Sequence, residues 1–299
     1  MRKSLAFREG LRDAIREEIA ERTALHQSAV AALKSARQAM AAAGAPARGG
    51  PLVMLAHGDS WFDYPLDGNG PSLRDRDIVA QLGQMGAPPP VILNLSHYDD
   101  ATTAEMSLPK QQRMIEALQN PENWLGEGKP DAILFSGGGD DIAGNQFCIY
   151  LNYAPNGAGG LNAARLDGAL AMIEASYRDL FTFRDRYAPG VPIFGHCYDF
   201  PTPDGSHPPC AGPWLKPSID YCGWSVPDGK QIVYTALVAF REMLEGLASN
   251  PVNNFVLVET QNTLSAADWA NELHPWPNGF KKLAQKSLAA IQGEFPGRI

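Results

Sequence analysis

The chain has 299 residues, 44% of them apolar and 19% charged, with a formal net charge of -8. That length and apolar content support one large α/β domain or two small ones and exclude an intrinsically disordered chain. The acidic balance opposes nucleic acid or an anionic membrane surface as the main partner, because long-range repulsion would have to be overcome locally. Small neutral substrates suit it better.

The N-terminus, Met1-Arg2-Lys3-Ser4-Leu5-Ala6-Phe7-Arg8, turns straight into charged helical sequence and lacks the apolar core of a signal peptide. No apolar run is long enough to span a bilayer, so the expectation is a cytoplasmic protein without a transmembrane segment. From Ser4 to Ala43 the chain is rich in Ala, Glu, Arg and Leu, with Gly10 as its only glycine, which predicts one long helix or a helical hairpin. Ala43 to Pro51 breaks it. Residues 1–50 therefore read as a helical extension that covers core surface and offers a natural surface for a homodimer, and residues 51–299 as the main domain.

Beyond the extension, short β-branched runs alternate with helical stretches. Predicted strands are Val53–Ala56, Val91–Leu95, Ala132–Ser136, Val191–Gly195 and Asn254–Val258. Predicted helices lie near Arg74 to Met85, Pro109 to Gln119, Leu161 to Tyr187, Gly229 to Leu247 and Asn278 to Ile291. This alternation is the pattern of a parallel sheet covered on both faces: a three-layer α/β/α, flavodoxin-like domain with a five-stranded parallel sheet. One region interrupts it. Tyr198 to Trp224 carries six prolines and three glycines and is too long for an ordinary connection, so it reads as a lid-like insertion or pocket wall after the fourth strand.

Four cysteines are too few for a disulfide scaffold. Cys210 and Cys222 could pair in an oxidising compartment, whereas reduced, packed thiols are expected in a cytosol. His196, Cys197, His207, Cys210 and Cys222 lack the short paired spacing of zinc modules, and no cofactor is implied.

The chemistry-bearing residues stand where strands end. Gly58-Asp59-Ser60 follows the first strand, Ser96-His97-Tyr98-Asp99-Asp100 the second and Gly137-Gly138-Gly139-Asp140-Asp141 the third, while Asp268-Trp269-Ala270-Asn271-Glu272-Leu273-His274-Pro275 precedes the last helix. In an open parallel sheet that edge is where ligands bind. A serine hydroxyl needs a base within hydrogen-bond reach, and an imidazole can take its proton and return it to a leaving alcohol. Ser60 and His274 are the candidates for those roles, although Asp59 or Ser60 could instead only cap the next helix and His274 could be a solvated loop residue.

In these blocks, their order and their spacing, the chain resembles the SGNH (GDSL-type) hydrolase superfamily over about Pro51 to Leu288. The resemblance implies Ser60 as nucleophile, His274 as general base, and an oxyanion hole made by the backbone of Ser60, the backbone of Asp99 and the side chain at Asp140. It implies a serine esterase or lipase-type hydrolase acting on a small-molecule, lipid or carbohydrate ester through an acyl-enzyme.

Three positions depart from the family pattern. Asn271 stands where an Asp usually orients the base, and it brings no charge to the imidazolium and can select the wrong tautomer; Asp268 or Glu272 could substitute if the loop folds back. Asp140 replaces an Asn donor, so it can donate only when protonated. Asp99 replaces a Gly, leaving its NH available but adding a Cβ. These carboxylates open a second reading, a divalent-metal-assisted hydrolase using Asp59, Asp99, Asp100, Asp140 and Asp141. A third keeps the fold without the chemistry, as a ligand-binding protein with a cleft lined by aromatics such as Trp61, Tyr64, Tyr98, Trp214, Trp224, Trp269 and Trp276.

Overall fold

The computed structural model describes residues 2–44, 49–64, 76–98, 101–126, 128–206 and 212–299. Asp99, Asp100, His207 and Cys210 lie outside the described residues. Five strands, β1 (Val53–Gly58), β2 (Val91–Asn94), β3 (Ala132–Ser136), β4 (Ile193–His196) and β5 (Phe255–Val258), form one all-parallel sheet in the order β2-β1-β3-β4-β5. Every residue of β1 and β3 is buried, whereas β2 and β5 each keep two or more residues partly exposed. Strands covered on both faces can be apolar throughout, and edge strands cannot.

Helix α1 (Arg2–Ala42) is a single helix rather than a hairpin. It packs against the outer strand β2, burying Ile19 and Val30. Polar ties fix it there. The His26 ring donates to the Asn123 carbonyl over 2.8 Å, Gln27 to the Asn123 side chain over 2.9 Å and Lys34 to the Pro121 carbonyl over 2.7 Å.

Of the remaining helices, α2 (Ile78–Leu82) and α9 (Pro277–Glu294) pack together. The row α3 (Thr102–Glu105), α4 (Leu108–Gln119), α5 (Gly139–Ile142), α6 (Ala163–Tyr187), α7 (Lys216–Tyr221) and α8 (Val226–Ala248) is linked by contacts to α6 and α8. In α8 the buried Ile232, Val233, Ala236, Leu237, Phe240, Leu244 and Leu247 recur at helical spacing and form the stripe turned to the core. Burying each large side chain contributes on the order of 2 kcal/mol.

Several boundaries differ from the sequence reading. α8 starts three residues earlier than expected, because Ser225 caps it through the Asp228 NH and Pro227 suits its first turn. α2 is shorter than expected, begun by Asp77, whose carboxylate accepts from the Ala80 NH over 2.7 Å, and ended at Gly83. β4 begins at Ile193, after Pro192, which carries no NH for a ladder, and ends at His196. The four-to-six-residue helices α3, α5 and α7 are too short to show a period and were not expected. The irregular stretch after β4 contains α7, and Cys222 beside it is a buried free thiol.

The strand order places the switch point between β1 and β3, where successive connections leave to opposite sides and a crevice opens at the strand ends. Gly58 is essential to that junction. It has a φ of 155°, and a Cβ there would lie 2.4 Å from the Ser136 carbonyl oxygen of the neighbouring strand. Gly58→Ala is therefore expected to cost about 2 kcal/mol or more of stability, read as a lowered urea midpoint with an unchanged slope.

Candidate active site

Beyond Gly58 the chain makes a tight turn. The Asp59 carbonyl accepts from the NH groups of Phe62 (3.0 Å) and Asp63 (3.1 Å), while the Asp59 carboxylate accepts from the Trp61 NH at 3.0 Å. Asp59 thus takes the capping role in this turn. The Ser60 side chain is left to point elsewhere, and its Oγ lies 2.7 Å from Nε2 of His274, 214 positions along the chain.

His274 is held by a loop folded back on itself. The Ala270 NH donates to the His274 carbonyl at 2.9 Å, and Trp269 bridges to Pro275 in antiparallel fashion. The ring is buried between Tyr64, whose ring centre is 4.7 Å away, and Trp214 at 5.3 Å. This desolvation pushes its pKa down to about 3, so the imidazole is neutral at ordinary pH.

Asn271 decides which nitrogen carries the proton. Its Oδ1 accepts from the NH groups of Leu273 (3.0 Å) and His274 (2.8 Å) and faces His274 Nδ1 at 3.1 Å, while its Nδ2 donates to the Tyr64 hydroxyl at 3.2 Å. An amide oxygen can only accept, so the proton sits on Nδ1 and Nε2 presents a lone pair to Ser60. The concern that Asn271 would select the wrong tautomer is thus removed by the two main-chain donors that fix its amide. The missing negative charge is not restored.

Neither carboxylate considered as a substitute faces the His274 ring. Asp268 accepts from Ser265 and from Lys282 Nζ at 2.6 Å, and the lysine is the main reason its pKa falls to about 2. Glu272 accepts from the NH groups of Gly205, Trp214, Leu215 and Lys216 and so anchors the irregular stretch before α7. Asp268 as orienter of His274 is therefore corrected: it closes a capping box in the preceding turn.

Beneath Ser60 lies a buried polar network absent from the sequence reading. Ser136 Oγ donates to Asp59 Oδ1 over 2.7 Å, the Tyr198 hydroxyl donates a short bond to Asp59 Oδ2, and His196 Nε2 lies 2.8 Å from Ser136 Oγ. With the Ser136 proton given to Asp59, His196 donates through Nε2 and accepts from the Tyr198 NH at 3.4 Å through Nδ1. Burial, only partly offset by these donors, raises Asp59 to about 7, and burial lowers His196 to about 3. Tyr198 carries a φ of 51°, unusual for a residue with a Cβ, and no pattern in the sequence marks it.

Ser60, His274, Asp59 and Asp140 line a narrow slot with a cavity volume of about 50 Å³. Ile142, Ala143, Phe147, Leu215, Val233, Leu237, Trp269 and Leu273 supply its apolar walls, with Tyr198, Asp199 and Pro201 from the irregular stretch. Gly138, with a φ of 116°, begins α5, and a Cβ on it would strike the Phe240 ring at 2.4 Å; this close approach carries Asp140 into the slot. Of the other acidic residues, Asp141 accepts from the Thr102 NH and hydroxyl. Among the described residues no group of three His, Cys, Asp or Glu is placed to hold a metal ion. Asp99, expected in the oxyanion hole, lies outside the described residues. Of the aromatics expected to line a cleft, Trp61 and Trp269 line this slot, Tyr64 and Trp214 pack against the His274 ring, and Trp276 is 40% exposed. A larger cleft of about 820 Å³ opens at the opposite end of the strands, bounded by Arg37, Asp131, Glu294 and Arg298, and includes neither Ser60 nor His274.

Because the imidazole pKa is depressed by burial without a compensating anion, Asn271→Asp should raise it. The titration midpoint of the His274 ring, followed by NMR, is expected to move toward neutral pH in that variant, while in wild type it stays well below the ordinary histidine range.

No family model matches the chain, and no curated protein matches it significantly in sequence. Among the described residues no helix is long and apolar enough to cross a membrane. Solved structures do match. The lipase Lip_vut3 from a goat rumen metagenome is 15% identical, with 80% of this chain and 97% of that chain covered and a TM-score of 0.53. An extracellular lipase from Streptomyces rimosus is 18% identical, with 80% and 98% covered and a TM-score of 0.50. With its all-parallel five-stranded sheet between helices, the chain shares the three-layer α/β/α fold of these lipases, the fold that its four sequence blocks lead us to expect.

Proposed function

We propose that this chain is a serine esterase that cleaves a carboxylic ester with an apolar acyl group through an acyl-enzyme. The observation that carries the reading is the 2.7 Å approach of the Ser60 hydroxyl to the unprotonated Nε2 of a neutral imidazole. The Ser60 oxygen attacks the ester carbonyl carbon as its proton passes to Nε2. Collapse of the tetrahedral intermediate breaks the bond to the alkoxy oxygen, which leaves with the proton from Nε2 as the alcohol. Water then loses a proton to Nε2, attacks the acyl-serine and releases the acid, and the proton returns to Ser60.

The developing oxyanion requires fixed donors. The backbone NH groups of Ser60 and Asp99 are assigned by resemblance, and Asp140 serves only with a proton on its carboxyl. Ile142, Leu215, Val233 and Leu237 favour an acyl chain over a sugar ring, because that end of the slot offers surface to bury and little to hydrogen-bond. The lipase names of the structural neighbours agree with this choice.

The test is hydrolysis of p-nitrophenyl esters from acetate to dodecanoate by wild type and Ser60→Ala. Removal of the hydroxyl is expected to lower kcat by roughly 10³-fold or more, and a fluorophosphonate should label wild type at Ser60. Equal rates for the two proteins would end the proposal. Leu237→Trp, which fills the slot, is expected to shift the preferred ester toward shorter acyl chains, read as a KM rising with chain length more steeply than in wild type.

A further inference from the structure

We propose that Arg22, in the middle of the long N-terminal helix, is a positioning residue for the Ser60 site, joining the nucleophile turn to the loop that leaves β2. This rests on the reading of Ser60 as nucleophile. The Arg22 guanidinium reaches out of α1 with two arms. Nη2 donates to Asp63 Oδ1 at 2.7 Å, and Nη1 donates to the Ser96 carbonyl at 3.1 Å. Glu18, one turn earlier on α1, contacts Nη2 and steadies the side chain.

Both acceptors lie three residues or fewer from groups assigned to the chemistry. Asp63 ends the turn that starts at Asp59-Ser60, its NH bonded to the Asp59 carbonyl. Ser96 precedes Asp99 by three positions, in a segment whose Leu95 and His97 NH groups bond to Ala56 and Gly58 of β1. A second, inner connector is Asn94, whose side chain donates to the Phe62 carbonyl at 2.7 Å and accepts from the Ser96 NH at 3.0 Å. Arg22 is the outer member of the same clamp.

Charge makes the contact obligatory. The Asp63 side chain is 4% exposed, and its Oδ2 has no hydrogen-bond partner among the described residues. Arg76 approaches its other oxygen only to 3.9 Å, which leaves Arg22 as the principal countercharge. A buried carboxylate deprived of its cation either takes a proton or moves toward water. In both cases the turn carrying Ser60 loses its outer tether. A planar guanidinium can serve two acceptors in fixed geometry, which an ammonium cannot. The slot walls Ile142, Leu215, Val233 and Leu237 come from other elements, so loss of the tether should act on the reacting groups more than on acyl binding.

The experiment compares wild type, Arg22→Lys, Arg22→Ala and the double variant Arg22→Ala/Asp63→Asn for kcat and KM on p-nitrophenyl butanoate, for the rate of Ser60 labelling by a fluorophosphonate, and for thermal midpoint. Arg22→Ala is expected to lower kcat and the labelling rate roughly ten- to a hundredfold, as small misplacements of reacting groups do, with KM within about twofold. Arg22→Lys should fall between the two. The double variant no longer buries an unpaired charge, so it should regain the thermal midpoint but not kcat, because the tie to the Ser96 carbonyl is still missing. Wild-type kcat and labelling in Arg22→Ala would overturn the proposal. So would a double variant that recovers midpoint and kcat together, which would mean that Arg22 supports folding alone, and this variant decides the matter if Arg22→Ala does not fold. Failure of a fluorophosphonate to label wild-type Ser60 would sink the nucleophile reading instead, whereas normal labelling with no dependence on Arg22 sinks only the clamp.

Discussion

A single uncharged hydrogen bond between Nδ1 of His274 and the amide oxygen of Asn271 decides what the site can do. It places the proton on the far nitrogen and leaves the near one bare, 2.7 Å from Ser60. A carboxylate in the same position would set the same tautomer and also stabilise the imidazolium. The amide does only the first. Tyr64 and Trp214 close around the ring and remove water, which deepens the preference for the neutral form. The imidazole is thus oriented by geometry and made less basic by burial, and in the proposed reaction turnover depends on how well the surrounding donors compensate as charge develops.

Acidic side chains carry the irregular parts of the chain around this bond. Glu272 collects four main-chain NH groups from residues 205 and 214–216, and Asp199 collects those of Phe200, Asn262, Thr263 and Leu264. Asp141 holds Thr102, and Asp268 closes its own turn. Loops buried against a core have no ladder to satisfy their NH groups, and an ionised carboxylate offers several strong acceptor positions at once. Of the acids that read as a candidate metal-binding set in the sequence, Asp141 is scaffolding of this kind.

Around β1 the packing leaves almost no latitude. The Gly58 approach to Ser136 brings the ends of β1 and β3 together, the Gly138 approach to Phe240 seats the turn after β3 against α8, and the network from His196 through Ser136 to Asp59 lies alongside. Arg22 then reaches across from a helix that the four family blocks do not include. Its side chain ties the long extension to the turn that carries Ser60, so the extension cannot be regarded as surface cover alone.

Local patterning was enough for the sheet, since five β-branched runs separated by helical stretches have few ways to bury both faces. It was also enough to bring Ser60, Asp140 and His274 to one edge, because each follows or succeeds a strand in a parallel sheet, and every strand of such a sheet ends on the same side. Ser225 and Pro227 are readable start signals for α8 upstream of the expected start at Gly229, and Asp77 is one for α2. Tertiary structure alone decided which of Asn271, Asp268 and Glu272 faces the imidazole, since three polar residues within five positions of one loop differ only in how that loop folds back. It alone revealed Tyr198, Ser136, His196 and Arg22 as supports, because their partners lie 40 to 140 positions away and no period or spacing in the chain encodes a hydrogen bond across such a distance.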